Sequence, residues 1–376
     1  VTGVTTTYTG LAAKTISYAY YPDGSRQTMT TPAGAFSSSY DGVGRMTGLT
    51  NPYAEASAWT YLDNSWPKTQ TLQNGAVTTW TYNALGERTD LENRLGPGPT
   101  APLLSGFNGM VHDAAENETS VTASLPGFTS YGGLTSYQYD TKDQLTQEAS
   151  ARNGSYTGTF GYDLAGNATT FKGVTHAYNV NNQDTGNSYD NRGNPTTYQG
   201  VAMSYDAESR LTGVGATWTA GYRGDHLRAW KQSGTTRTYF LYDGQTPVLE
   251  MDSTGATTAV NTLGAAGLLS RRTGTVSTFY TFDPQGSVAQ RLDSTGAMLT
   301  AHMCDAYGVG VASGTTTDPY GYGAQWGYYT DRETGLLLLT YRYYDPGTGR
   351  FLTRDPIRYA VGINLYGYTS NRVSTP

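Results

Sequence analysis

Residues 334–368 read TGLLLLTYRYYDPGTGRFLTRDPIRYAVGINLYGY, and the rest of the chain is best understood outward from them. They hold the longest aliphatic run, two Asp-Pro pairs and six tyrosines. The run from Leu336 to Tyr344 combines aliphatic, threonine and aromatic side chains that suit a pleated, half-buried surface. Asp345-Pro346-Gly347-Thr348-Gly349 then supplies turn chemistry, proline presetting φ and glycine accepting φ > 0. Arg350 to Thr353 resumes an extended segment, and Arg354-Asp355-Pro356 ends it. The expectation is a β-hairpin followed by a sharp exit.

The central phrase of this stretch, aromatic-Asp-x-x-Gly, recurs upstream in looser form. It stands at Tyr40-Asp41, Tyr82-Asn83, Tyr139-Asp140, Tyr162-Asp163, Tyr178-Asn179, Tyr189-Asp190, Tyr205-Asp206, Tyr242-Asp243 and Phe282-Asp283. Tyr21-Pro22-Asp23-Gly24 and Cys304-Asp305-Ala306-Tyr307-Gly308 are degenerate copies. Where regular, the spacing is near twenty residues, which marks a repeat architecture. Each unit reads as a hairpin: an aromatic packs inward at a strand end, Asp or Asn nucleates the turn, and glycine takes a left-handed conformation. A lone hairpin cannot bury its own face, so the hairpins must stack side by side into a continuous sheet.

Composition agrees with strands and turns. Hydrophobic residues make up only 37% of the 376, while Tyr numbers 32 and Gly 47. Mean hydropathy is −0.49, so tyrosine must pack where Leu and Val pack elsewhere, keeping its hydroxyl bonded or wet. The net charge of −6, with 14% charged residues, offers no clustered basic footprint for nucleic acid. One cysteine, Cys304, excludes an intrachain disulfide framework. No apolar run approaches the length of a membrane span. The opening VTGVTTTYTG is no signal peptide and reads as strand interior, the expectation being a piece of a longer polypeptide. Two breaks stand out: the loop Leu95 to Pro102, with an irregular insertion running to Tyr131, and residues 255–270, expected as a small helix or inward loop.

The 334–368 stretch closely resembles the Rhs repeat-associated core domain, whose pattern runs roughly ETGLYYxRxRYYDPxxGRFxxxDPIGxxGGxNLYxY. The matches are Glu333-Thr334-Gly335-Leu336, Tyr341-Arg342-Tyr343-Tyr344-Asp345-Pro346, Gly349-Arg350-Phe351, Arg354-Asp355-Pro356-Ile357, Gly362, Asn364-Leu365-Tyr366 and Tyr368. The upstream phrases resemble the YD repeats of Rhs proteins, toxin-complex C subunits, wall-associated proteins and teneurins. The resemblance implies an all-β fold in which antiparallel hairpins stack into a curled sheet or hollow shell or barrel. A C-terminal core section, here 318–376, closes the repeat section, 1–317, and is continuous with it. The pattern departs at Arg358, where glycine is expected, and at residues 371–376, NRVSTP, where the second Asn-Pro is disrupted and the DPxGL cleavage segment is missing.

The resemblance also implies chemistry. In self-cleaving Rhs proteins the Asp of the RDP segment, here Asp355, takes part in an aspartic-protease-like autocleavage, with Arg354 beside it. Such a site needs two carboxylates sharing a proton. Asp345, Asp331 and Asp305 are available as the second, and no spacing rule chooses among them. The bland alternative is that Asp355-Pro356 caps a strand. The aromatic cluster Tyr320, Tyr322, Trp326, Tyr328 and Tyr329 could stack on sugars or contact a partner, or line the packed inner face of the sheet. His112, His176, His226 and His302 stand at no metal-ligand spacing, and His302 and Cys304 lack a third group for nucleophilic chemistry. Asn117, Asn153 and Asn167 begin glycosylation patterns that are discounted, because Asn is common here and the resemblance implies a bacterial source. No cofactor or metal is expected.

Three readings follow. The first is a structural β-shell of a bacterial secreted or cell-surface protein that encloses and helps deliver a C-terminal toxin passenger. The second is the same shell acting as a self-cleaving aspartic-type peptidase. The third is an adhesive or carbohydrate-binding surface protein with a cell-surface protein or glycan as partner. Open sheet edges would also pair with other shell segments or another copy.

Overall fold

The computed structural model describes residues 1–372; the departure at Val373 to Pro376 lies outside the described residues. The fold is all-β, with 3₁₀ turns as its only helical segments among those residues. Strands run in strict chain order through three antiparallel sheets of sixteen, fourteen and four strands. The first sheet runs from Gly3–Thr6 to Val174–Thr175 and the second from Ser188–Tyr189 to Gly310–Ala312. The third holds Tyr329–Asp331, Leu336–Leu339, Arg342–Asp345 and Arg350–Phe351. Neither large sheet closes on itself, so closure by the C-terminal section is not seen.

One turn design is used again and again. At Tyr40-Asp41-Gly42-Val43-Gly44-Arg45 the Asp41 amide donates to the Arg45 carbonyl (2.9 Å) and the Gly44 amide to the Asp41 carbonyl (3.0 Å). Asp41 Oδ1 accepts the amides of Val43 (3.1 Å) and Arg45 (2.9 Å). Gly44 sits at φ +84°, which glycine reaches without steric cost. The register slips by one residue at Tyr40, the signature of a hairpin loop followed by a bulge. Asp113/Asn117, Asp163/Asn167, Asp206/Arg210 and Asp283/Ser287 repeat the same amide-to-carbonyl pair. The tyrosine before the turn reaches back to the previous hairpin: Tyr82 Oη donates to the Pro67 carbonyl (3.1 Å) and Tyr242 Oη to the Arg228 carbonyl (2.9 Å).

The second sheet is the middle layer. Leu268 and Leu269 are adjacent in one strand, yet Leu268 packs with Tyr320 and Leu336 while Leu269 packs with Ile16, Phe36 and Trp59. One face therefore meets the C-terminal section and the other the first sheet. A third cluster joins the later strands of the first sheet to the C-terminal section through Phe107, Leu145, Tyr307 and Tyr344. Polar bonds stitch the two large sheets as well, among them Tyr8 Oη to the Phe240 carbonyl (2.5 Å) and Asn93 Nδ2 to the Phe282 carbonyl (3.2 Å).

Three sequence expectations are corrected. Residues 255–270 form neither a helix nor an inward loop; strands Thr257–Gly264 and Gly267–Thr273 pair there as a hairpin. The expected insertion up to Tyr131 is instead regular, with Leu103–His112 and Glu118–Ser124 continuing the sheet and only Thr129–Tyr131 forming a 3₁₀ turn. The run Leu336 to Tyr344 is not one strand. Thr340, at φ +56°, breaks it, and the stretch is a three-strand meander with Arg350–Phe351.

Candidate functional site

The C-terminal section is held by side chains from both large sheets. Asp331 is fully buried and accepts from Arg228 (2.5 Å), Lys231 (3.0 Å) and Tyr343 Oη (2.9 Å). The Arg228 guanidinium lies over the rings of Phe240 and Tyr329, 4.5 and 4.9 Å from their centroids. On the first-sheet side, Arg350 donates to Asn167 Oδ1 (2.9 Å) and to the Asn182 carbonyl (2.6 Å). Two turns of the second sheet are gripped as well: Tyr344 Oη reaches the Tyr307 carbonyl (2.7 Å) and Tyr366 Oη the Gly193 carbonyl (2.8 Å).

Asp355 lies where this section turns away from the sheet. Its amide donates to the Leu365 carbonyl (2.8 Å), and its Oδ1 accepts the Ile357 amide (3.0 Å). The other oxygen, Oδ2, pairs with an Arg342 terminal nitrogen at 2.9 Å. Arg354, the expected neighbour, points elsewhere. Its Nε faces Tyr366 Oη at 3.3 Å, and the guanidinium packs on Gly193, where an added Cβ would sit 2.4 Å from Nε. Sequence reasoning quoted Arg342 within the family pattern but gave it no role. Asp355 lines two open cavities, of about 660 and 760 Å³.

The three candidate second carboxylates are engaged apart from Asp355. Asp331 is taken up as described. Asp345 accepts from Tyr198 Oη (2.7 Å), Gln199 (3.0 Å) and its own turn amide at Gly347 (2.8 Å). Asp305 pairs with Lys172 (2.5 Å) and caps its own turn. The carboxylate that does share a cavity with Asp355 is Glu208, which pairs with Arg210 at 2.8 Å.

The aromatic cluster is divided. Tyr320, Tyr322 and Tyr329 are buried, Tyr328 is half-buried, and Trp326 alone of the five is exposed. Tyr320 and Tyr329 meet edge-to-face at 5.9 Å within the core, so the five do not form one exposed row. Of the histidines, His176 pairs with Asp184 (3.0 Å), His226 lies 3.4 Å from Glu208, and His302 is buried against Arg291. Burial and the Arg291 charge push His302 well below the usual imidazole range. Cys304 is buried, which pushes its thiol up. Asn117 and Asn167 are buried turn closers, bonded to Asp113 and Asp163 at 3.0 and 2.9 Å. Among the described residues no group of three or more His, Cys, Asp or Glu side chains is placed to hold a metal ion.

A polar constellation that the repeats conceal lies between the large sheets. Glu118 is buried, and neither of its carboxylate oxygens accepts a hydrogen bond from the described residues. Burial, reinforced by Asp283 and opposed by Arg88, pushes its carboxyl up to about 8. Glu148 accepts from Tyr156 Oη (2.7 Å) and the Ala306 amide (3.0 Å); burial, then Asp305, raises it to about 7. Burial lifts Asp283 to about 6.

This geometry is that of a YD-repeat β-shell. No protein-family model matches the chain. The chain is similar to the tRNA3(Ser)-specific nuclease WapA of Bacillus spizizenii, 27% identical over 311 residues, which is 80% of this chain and 11% of that protein. It is also similar to the probable deoxyribonuclease RhsA of Dickeya dadantii, 47% identical over 45 residues, 12% of this chain and 3% of that protein. The crystal structure of TcdB2-TccC3 shares the fold, with a TM-score of 0.81 over 97% of this chain and 22% of that chain, at 20% identity. The chain spans less than a quarter of each of these proteins. Repeats, fold and relatives agree that it is an Rhs/YD-repeat protein.

Proposed function

We propose that the chain is the end section of a β-shell in a bacterial secreted or cell-surface protein, and that the shell encloses and helps deliver a C-terminal passenger. The observation that carries this reading is the double anchoring of the C-terminal section, to the second sheet through Asp331 and to the first through Arg350. In this reading 318–372 forms a plug continuous with the repeat section 1–317. The names of WapA and RhsA specify nucleases, and this chain spans 11% and 3% of those proteins. The test expresses the full native reading frame and exposes it to protease. A passenger resistant in the intact protein, and cut once Asp331→Asn loosens the plug, supports enclosure. A passenger cut equally in both refutes it.

A second reading is autocleavage centred on Asp355, favoured by its place in the lining of two cavities and its pairing with Arg342. In that reading Glu208, which lines the larger cavity with it, is the candidate second carboxylate. Intact mass of the full reading frame, with and without Asp355→Asn, decides it. Cleavage in the wild type alone supports the reading, and equal full-length masses remove it.

A further inference from the structure

We infer that the cavity of about 760 Å³ between Asp355 and the turns at 190–194 and 206–210 binds a phosphate-bearing small ligand. Five arginines line it against two carboxylates, Glu208 and Asp355, in a chain whose overall charge is −6. The carboxylates are already satisfied: Glu208 pairs with Arg210 at 2.8 Å and Asp355 with Arg342 at 2.9 Å. Arg192, Arg354 and Arg358 remain, and among the described residues none of the three has a carboxylate partner. They reach one space from two different segments. Arg354 packs against Gly193, the chain neighbour of Arg192, and Arg358 closes the turn whose amide donates to the Asp355 carbonyl (3.0 Å).

Arg358 lies at φ +57°, as one of sixteen side-chain-bearing residues at positive φ among the described residues, so what singles out this site is the convergence of the arginines and not one backbone. Three guanidiniums without a carboxylate partner at one site, Arg354 keeping its Nε on Tyr366 Oη (3.3 Å), offer forked donors matched to phosphate oxygens. The exposed rings of Tyr341 and Tyr359 line the same cavity and supply flat apolar faces. The volume falls in the range of small-molecule sites. Single carboxylates spaced along a peptide match three converging guanidiniums less well than adjacent phosphates do.

The test is calorimetric titration of the whole chain with inorganic pyrophosphate at low salt, alongside Arg358→Gly and Arg192→Ala. Saturable binding at one site is expected, at least tenfold weaker in each variant. Arg358→Gly should also keep or raise the melting temperature, because glycine relieves the backbone, so its weaker binding cannot be ascribed to misfolding. A second arm uses ATP. Tighter binding than pyrophosphate, abolished by Tyr359→Ala, identifies a nucleotide; equal affinity identifies phosphate alone, and both uphold the site. Absence of saturable binding, undiminished binding by Arg358→Gly, or equal displacement by a poly-glutamate peptide overturns the proposal.

Discussion

The hydroxyl of Tyr61 donates to the backbone carbonyl of Met46 at 2.7 Å, joining one repeat to the one before it. Met46 is the first residue after the Asp41–Arg45 turn. The same relation holds between Tyr162 and Leu145 (2.8 Å) and between Tyr222 and Leu211 (2.6 Å). The repeat tyrosine thus buries its ring against one hairpin and ties its hydroxyl to the neighbour, which is why tyrosine and not phenylalanine recurs. Removing one such hydroxyl leaves a carbonyl short of a partner and should cost about 1 kcal/mol. Urea unfolding of Tyr61→Phe and Tyr222→Phe checks this; unchanged midpoints would show the bonds to be incidental.

Several turns place a side-chain-bearing residue where the repeat expects glycine. Ala54 has φ +60° and Glu116 φ +64°, both in the left-handed region. Ala54→Gly and Glu116→Gly should each stabilise by several tenths of a kcal/mol up to about 1, strain relief outweighing the added freedom of the unfolded chain. Gly44→Ala, with φ +84° at the equivalent position, should destabilise by about 1 kcal/mol. Thermal melts of the three variants give the ordering.

Asp331 pairs with Arg228 and Lys231 in the interior, and Glu333 takes Lys231 as well (3.1 Å). Asp331→Asn leaves Arg228 buried and charged, a change that typically costs about 3–5 kcal/mol. Hydrogen exchange should show residues 329–352 losing protection before the first sheet does. Uniform loss across the chain would mean that the C-terminal section is not a separable anchor.

The buried carboxyls make stability depend on pH. Glu118 near 8, Glu148 near 7 and Asp283 near 6 all lie above their ordinary values. The folded state therefore holds more protons than the unfolded state across this interval, and stability falls as pH rises. It is greatest near the ordinary carboxylate range and declines until the pH has passed about 8. Denaturant midpoints at pH 5.5 and 8.5 should differ in that sense, and Glu118→Gln should flatten the difference. A rise in stability toward pH 8.5 would contradict the assignment.

Much of this architecture can be read in the residues. The spacing of Tyr40-Asp41, Tyr162-Asp163 and Tyr242-Asp243 announces hairpins in series, because each turn carries its own instructions in an aspartate and a glycine. The strands at 257–273 are not legible in the same way. Leu268 and Leu269 are apolar side by side because their strand is covered on both faces, which erases the alternation that marks a half-buried strand. The partner of Asp355 is also hidden. Arg342 is thirteen positions away and meets it only because Thr340 breaks the preceding strand. Glu118 follows a repeat turn like any other residue, and its burial depends on a second sheet contributed by residues some 160 positions later.

Every strand of the two large sheets pairs with its immediate neighbours along the chain. Such a molecule can be assembled in the order in which it is synthesised. Each hairpin leaving the ribosome finds its docking edge already formed, and no strand has to wait for a distant partner. Whole hairpins can then be gained or lost over evolution without rewiring those that remain. The C-terminal section, made after both large sheets and gripping each of them, is the one part that must await both.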